Sequence, residues 1–425
     1  MSHPWIEHLR HKAGRLRSIL TEQGVGAALQ EVIRTVLRRQ PERPAERYQF
    51  VLKNPVGRAL ADASQAPART INWVLVGFDA GSGGHTTIFR MVYRLQQAGF
   101  VNRLVIVDGR YFRSAASFRE LLHRSYAPID AEIFLDVREA PPAWCTVATA
   151  WNTAYAVRDF LPTWRRAYIV QDYEPWFSAV GTEAALAEAT YRMGFHGITA
   201  GSWLAELLKT QFGMPTTPFG FGVDHDLYFP RQSPEAQTDT VFFYARPATA
   251  RRAFEFGVLV LREVVRRRPQ TKIVLAGADL AGYEIPFAHR SEGVVTPARL
   301  GELYRESEVA LLLSLTNASL VPLECMACGT VVVSNGGPNV EWLLDSSIAD
   351  IRPCTIESMA DGVVELLDDP VRRGRLREAG YRRAKAASWE VEADKVVAAF
   401  EALATQDRTA GSETVEARRE AVTTP

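Results

Sequence analysis

The sequence predicts an α/β chain made of two successive series of parallel strands and helices. Three observations carry the prediction. From Ile71 onward short apolar runs alternate with turns and amphipathic stretches, and a proline-bearing segment, "FGVDHDLYFPRQSPEAQ", separates one such series from the next. The length of 425 residues with 47% hydrophobic content exceeds what one core usually organises. Strands alternating with helices favour parallel sheets covered on both faces, so two series imply two Rossmann-like domains facing one cleft.

Residues 1–68 read as a basic helical extension, with Arg10, Lys12, Arg15, Arg17, Arg34, Arg38 and Arg39 set between apolar groups at roughly helical spacing. A solvated helix face and a surface that leans on anionic lipid both fit that pattern. The N-terminal domain is expected over 69–230. It opens with "INWVLVGF" (71–78), a helix-compatible "GSGGHTTIFRMVYRLQQAGF" and "RLVIVDG" (103–109), a βαβ start, and continues through "CTVATAW", "AYIVQDYEPWF" and "GFHGITAG". The C-terminal domain, 231–403, restarts with "TVFFYARP" (240–247), a helix from about Arg252 to Arg267, "TKIVLAGAD", "EGVVT", the helix "PARLGELYRE" and "EVALLLS" (308–314). The tail 404–425 is polar, poor in aromatics and expected to be disordered.

Charge is balanced, 49 basic against 49 acidic groups, which removes any global case for nucleic acid. Four cysteines imply no disulfide framework and fit a reducing, cytoplasmic setting. The N-terminus mixes charge where a signal peptide would be apolar, and no run reaches the roughly 18 apolar residues of a membrane span.

The chemistry concentrates in "SLTNASLVPLECMACGTVVVSNGGPNVEWLL", where Glu324 stands in an otherwise apolar run. A buried carboxylate needs partners, and two readings answer it: a ribose hydroxyl of a nucleotide sugar, or a structural arginine. In open α/β sheets ligands lie beyond the carboxyl ends of strands, where a helix beginning near Ser319 and Leu320 offers N–H donors to a phosphate. "YARPATARRAF" adds Arg246 at a strand end and Arg251 and Arg252 at the next helix start, either a diphosphate-binding fork or a solvated cluster.

"SLVPLECMACGTVVVSNGGPNVEWLL" resembles the P-L-E-A-M-A-C-G-x-P-V-V signature of the GT-B glycosyltransferases of family 4, and "FGVDHDLYFP" resembles their linker segment. More narrowly, "GSGGHTTIFR", "QDYEPWF", "YARPATARRAFEFG" and "LTNASLVPLE" resemble the WsaF-like rhamnosyltransferases that build bacterial surface rhamnans from dTDP-L-rhamnose. The resemblance, from about Ile71 to Trp389, implies a GT-B fold and a retaining hexosyltransferase that uses neither metal nor cofactor beyond its nucleotide-sugar donor. It places Arg246 and Arg251 on the diphosphate, with arginine where most members have lysine at 251, and Glu324 on the ribose. The family's first glutamate of the E-x7-E pair falls on Thr316, leaving Asn317 or Ser319 for the sugar-orienting role. Gly83 and Gly84 of "GSGGH" resemble the glycine loop that approaches the diphosphate across the cleft. The implied partners are the nucleotide sugar and a glycan acceptor, lipid-linked in one version, at the inner face of the cell membrane.

His85, at a helix start, reads as a cap or as a group beside the sugar; Asp172 and Glu174, at a strand end, as contacts for an acceptor hydroxyl or as a structural loop pair. "DHD" at 224–226 mimics a metal-binding D-x-D but falls in the linker, and Cys325 and Cys328 lack a second pair at zinc-site spacing. The glycines at 77, 81, 83 and 84 do not form a dinucleotide fingerprint. A sugar-nucleotide 2-epimerase and a non-catalytic nucleotide-sugar-binding protein share the expected architecture.

Overall fold

The computed structural model describes residues 44–425 apart from 79–81, 108–111, 113, 127, 232–237 and 424–425, and of 408–423 the backbone alone. Most of the expected basic extension lies outside the described residues. Residues 1–52 and 53–425 form two units; the described residues of the first show one helical turn, Pro44–Arg47, and a 3-10 turn, Gln49–Val51. Over 53–68 the expected helix is replaced by a 3-10 turn at Ala63–Gln65 and a parallel bridge from Val56 to Phe160. Pro55, Gly57 and Pro67 explain the change, since proline removes helix donors and glycine carries a high entropic cost.

The larger unit holds two sheets whose registered pairs are all parallel. The first contains β1 (Thr70–Leu75), β2 (Val101–Ile106), β3 (Glu132–Phe134), β4 (Ala143–Ala148), β5 (Thr163–Val170), β6 (His196–Ala200) and β7 (Thr216–Phe219), in the order 3-2-1-4-5-6-7. The second contains β8 (Thr240–Tyr244), β9 (Lys272–Ala276), β10 (Arg290–Ser291), β11 (Val309–Leu312), β12 (Val331–Asn335) and β13 (Asp350–Arg352), in the order 10-9-8-11-12-13. β1 and β4 are buried along their whole lengths, as strands covered on both faces must be. Each order reverses once, between β1 and β4 and between β8 and β11. Such switch points open a crevice at the carboxyl edge.

The helix Trp389–Thr423 corrects the expected tail and the boundary at 403. Its first turns return to the N-terminal sheet. Phe400 packs 6.0 Å from Trp73 and 6.3 Å from Trp144, Glu401 pairs with Arg69 at 2.8 Å, and Asp394 pairs with Arg94 at 2.6 Å. Asp407 is buried, accepting from Trp144 Nε1 at 2.9 Å and pairing with Arg165 at 2.5 Å. Asp407, at the start of the expected tail, thus meets fixed partners in the N-terminal domain. Among the described residues no helix is long and apolar enough to cross a membrane.

Candidate functional site

The carboxyl edges of the two sheets meet, and Asn317 ties them. The loop after β11 is pinned at Ser314: its N–H donates to Asn335 Oδ1 at 2.8 Å, and its carbonyl accepts from Asn335 Nδ2 at 3.0 Å and Asn339 Nδ2 at 3.1 Å. That places the fully buried Asn317 side chain against the N-terminal domain. Its Nδ2 donates to the carbonyls of Gln171 (3.0 Å) and Ala200 (2.8 Å), and its Oδ1 accepts from Trp342 Nε1 at 2.7 Å. Trp342 fits only because residue 201 is glycine: with φ at +95°, an added Cβ would come within 2.5 Å of the indole. The amide is spent on joining domains, so the sugar-orienting role expected for Asn317 is not open to it.

Asp172 belongs to the same junction. Its carboxylate accepts from Thr316 Oγ1 at 2.9 Å and from the N–H groups of Asn317 (2.9 Å) and Tyr173 (2.8 Å), while Arg251 Nε lies 3.4 Å away. Burial raises its pKa, against the charges of Arg252 and Arg251. Thr316 is buried too, with its hydroxyl given to Asp172 rather than to a ligand. Asp172 was expected to meet an acceptor hydroxyl; it is turned toward the C-terminal domain instead.

Glu174 also departs from that expectation. It is buried in its own domain, where Oε1 accepts from Tyr168 at 2.5 Å and Oε2 from the N–H of Trp151 at 2.8 Å, at the start of the helix Trp151–Asp159. Burial pushes its carboxyl up to about 7. Both oxygens are answered by the fold, which makes it a structural acid.

At the second switch point the arginines divide. Arg252 donates to Ser314 Oγ at 2.6 Å and braces the loop. Arg251 lies with its guanidinium carbon 4.0 Å from the centre of the Phe177 ring. Arg246 is exposed just beyond β8, with contacts no shorter than 3.4 Å to Tyr244 Oη and 3.5 Å to the Gly277 carbonyl. Arg246 and Arg251 are thus available to an anion in a way that Arg252 is not.

Leu320 caps the helix Val321–Ala327, so that helix starts two residues after Ser319, close to the expected position. Ser319 and Leu320 are half-buried at its entrance. Glu324, half-buried, has no ion pair among the described residues; Tyr304 Oη lies 3.4 Å from Oε2. Burial and then the charge of Asp224 raise its carboxyl to about 7. Arg90 acts on it by charge while paired with Asp224, so the structural-arginine reading finds a charge nearby but no ion pair among the described residues. Asp224 of the "DHD" segment is itself engaged, paired with Arg90 at 2.5 Å, and Cys325 and Cys328 are buried in the core.

Across the junction, the helix Gly83–Gln97 begins at the carboxyl end of β1. Gly83 and Gly84 are exposed, and a Cβ on Gly83 would meet nothing within 4 Å. His85, in the first turn, stacks on Phe78 at 4.3 Å and bonds Ser82 Oγ through Nδ1 at 2.9 Å. Its Nε2 is buried with no hydrogen-bond partner among the described residues, and burial lowers its pKa to about 4. A neutral ring, on which the Val76 backbone also acts, suits a hydroxyl rather than an anion.

Residues missed from the sequence are Gln171, Phe177, Asn335 and Trp342, of which only Trp342, beside the glycine-rich "NGGPNVEW", carried a local signal.

Residues 239–364 match the family model of the WsaF C-terminal domain. Over 342 residues, 77% of this chain, the sequence is 34% identical to the O-antigen biosynthesis protein RfbC of Myxococcus xanthus, of whose length the match covers 26%. Among solved structures, TarM aligns with a TM-score of 0.63 at 8% identity, covering 78% of this chain and 99% of that one. Alr3699/HepE of Anabaena, solved with UDP and glucose, aligns with a TM-score of 0.60 at 14% identity, covering 78% and 99%. Two parallel sheets meeting at their carboxyl edges, with these structural likenesses, give the chain the GT-B fold, and its residues 239–364 are similar to the WsaF C-terminal domain.

Proposed function

We propose that the chain is a hexosyltransferase of surface-polysaccharide assembly, which moves L-rhamnose from dTDP-L-rhamnose to a growing glycan with retention and without metal. The observation that carries this reading is a set of weakly held groups: Arg246, with contacts of 3.4 Å or more, and Arg251, 3.4 Å from Asp172, both available to a diphosphate, and Glu324, available to a ribose hydroxyl. The names of the similar proteins, O-antigen biosynthesis for RfbC and a UDP and glucose complex for Alr3699/HepE, support the class.

In this reading Arg246 and Arg251 hold the diphosphate and stabilise the charge it gains as the bond from the sugar C1 to the diphosphate oxygen breaks. The acceptor hydroxyl forms its new bond to C1 on the same face, and its proton passes to the departing diphosphate oxygen. With two arginines supplying positive charge, positioning and electrostatics carry most of the barrier reduction. His85 and the open N-terminus at Gly83 and Gly84 face the acceptor side. A cytoplasmic setting follows from the donor, and the basic residues of 1–68 would hold the chain near an anionic, lipid-linked acceptor.

Calorimetric titration with dTDP, UDP and GDP tests the reading, followed by an assay with dTDP-L-rhamnose and a rhamnan acceptor. Tight dTDP binding and rhamnosyl transfer are expected. Arg251→Ala should lower turnover about 100-fold or more, as loss of a charge-stabilising donor does, with little change in unfolding. Preference for UDP or GDP would discard rhamnose, and conversion of a nucleotide sugar with no acceptor present would assign an epimerase.

A further inference from the structure

The grip of Asp172 on its neighbours is uneven. Three neutral donors, Thr316 Oγ1, Asn317 N–H and Tyr173 N–H, hold the carboxylate at 2.8–2.9 Å. Arg251 is held differently. Its Nε stands 3.4 Å from Oδ2, is buried, and makes no hydrogen bond among the described residues, while the guanidinium rests on Phe177. The acid is thus fixed by groups that stay in place and the arginine is held loosely beside it. A well-aligned carboxylate–arginine pair would resist surrendering its cation, because breaking it leaves a buried charge unmatched. A loose pair can exchange.

We propose that Asp172 is a positioning residue for Arg251 that promotes release of the nucleoside diphosphate. The inference rests on the nucleotide-sugar reading of the same site. An incoming diphosphate draws Arg251 away from Asp172. After transfer, the fixed carboxylate and the free nucleoside diphosphate compete for one guanidinium, and the nearby negative charge of Asp172 weakens retention of the product. Only non-covalent contacts are exchanged. The junction with Thr316 and Asn317 keeps the carboxylate in place throughout, so the contact that joins the two domains is also the one that resets the arginine.

The test is the Kd of dTDP, or of UDP where that binds more tightly, in the wild-type chain, Asp172→Asn, Arg251→Ala and the double variant. Asp172→Asn should bind about tenfold more tightly and release product more slowly, as is expected when a carboxylate no longer competes with the diphosphate for the Arg251 guanidinium. In the Arg251→Ala background the same substitution should change Kd less than about twofold, because additivity fails for residues that act through one another. A merely structural Asp172 would shift both backgrounds alike, which would overturn the proposal, as would unchanged or weaker binding by a folded Asp172→Asn. If that variant does not fold, Thr316→Val serves: one neutral donor is lost, the carboxylate leans harder on Arg251, and binding should weaken. Unchanged or tighter binding would overturn the proposal. Wild-type binding that depends on Arg251 but not on Asp172 removes this inference alone; no binding of either nucleotide removes the functional reading with it.

Discussion

Glu174 and Glu324 stand near the carboxyl edges of the two sheets, and burial raises both from the ordinary 4.5 to about 7. They are otherwise opposites. Glu174 has a phenol at 2.5 Å and a helix N–H at 2.8 Å on its two oxygens. Glu324 has a long contact of 3.4 Å to Tyr304, the Tyr228 hydroxyl beside it, no ion pair among the described residues, and the like charge of Asp224 nearby, offset in part by Arg90. In the proposed function, a fold that answers one acid fully and leaves the other half-answered keeps the second for a ligand. A shifted pKa does not separate the two cases. The partner list does.

The largest effect separating them should be on folding. Glu174→Ala orphans the Tyr168 hydroxyl and the Trp151 N–H, and should destabilise the chain by about 3 kcal/mol in denaturant unfolding. Its raised pKa means that the folded state holds the proton more tightly than the unfolded one. That contribution is therefore present below pH 4.5 and is lost as pH rises through 7, and Glu174→Gln should remove this part of the slope. Glu324→Ala should change stability by less than about 1 kcal/mol while weakening dTDP binding about tenfold, or about 1.4 kcal/mol. A Glu324 variant that unfolds like the Glu174 variant, with nucleotide binding intact, would make both structural acids.

Much of this arrangement is legible in the sequence because it is local. The alternation of apolar runs and amphipathic stretches identifies β1, β2, β4, β5, β6, β8, β9 and β11, and the isolation of Glu324 in an apolar run marks it as an acid in need of explanation. Short strands escape where they are not wholly apolar: β3, β7 and β13 have three or four residues each and lack the continuous apolar run of the equally short β11, and β10 falls before the expected "EGVVT". Orientation escapes too. Asp172 reads as a strand-end residue of its own domain, and nothing local says that its oxygens serve a loop 145 residues away. Asp407 fails in the same way, since the composition of the tail looks disordered until Trp144, 263 residues distant, supplies a partner. What decides each case is a contact made only once the chain has folded.

The smallest effect is the most diagnostic. If Glu324 accepts from a ribose hydroxyl, the ionised carboxylate binds more strongly than the protonated one, because hydrogen bonds to charged acceptors are stronger. With its carboxyl at about 7, the ionised fraction rises from about one tenth at pH 6 to about nine tenths at pH 8. dTDP affinity should therefore increase with pH, opposite in sign to the folding slope, and by less than the tenfold set by deleting the side chain. The terminal phosphate of dTDP also ionises near pH 6 and would strengthen binding in the same direction. Glu324→Gln removes only the first contribution, so the affinity ratio of wild type to this variant should rise about three- to fivefold between pH 6 and 8. The same ratio taken against Glu174→Gln should stay flat. A flat ratio for Glu324 as well would mean that its carboxylate never meets the nucleotide, and that the difference in partners between the two acids has a purely structural cause.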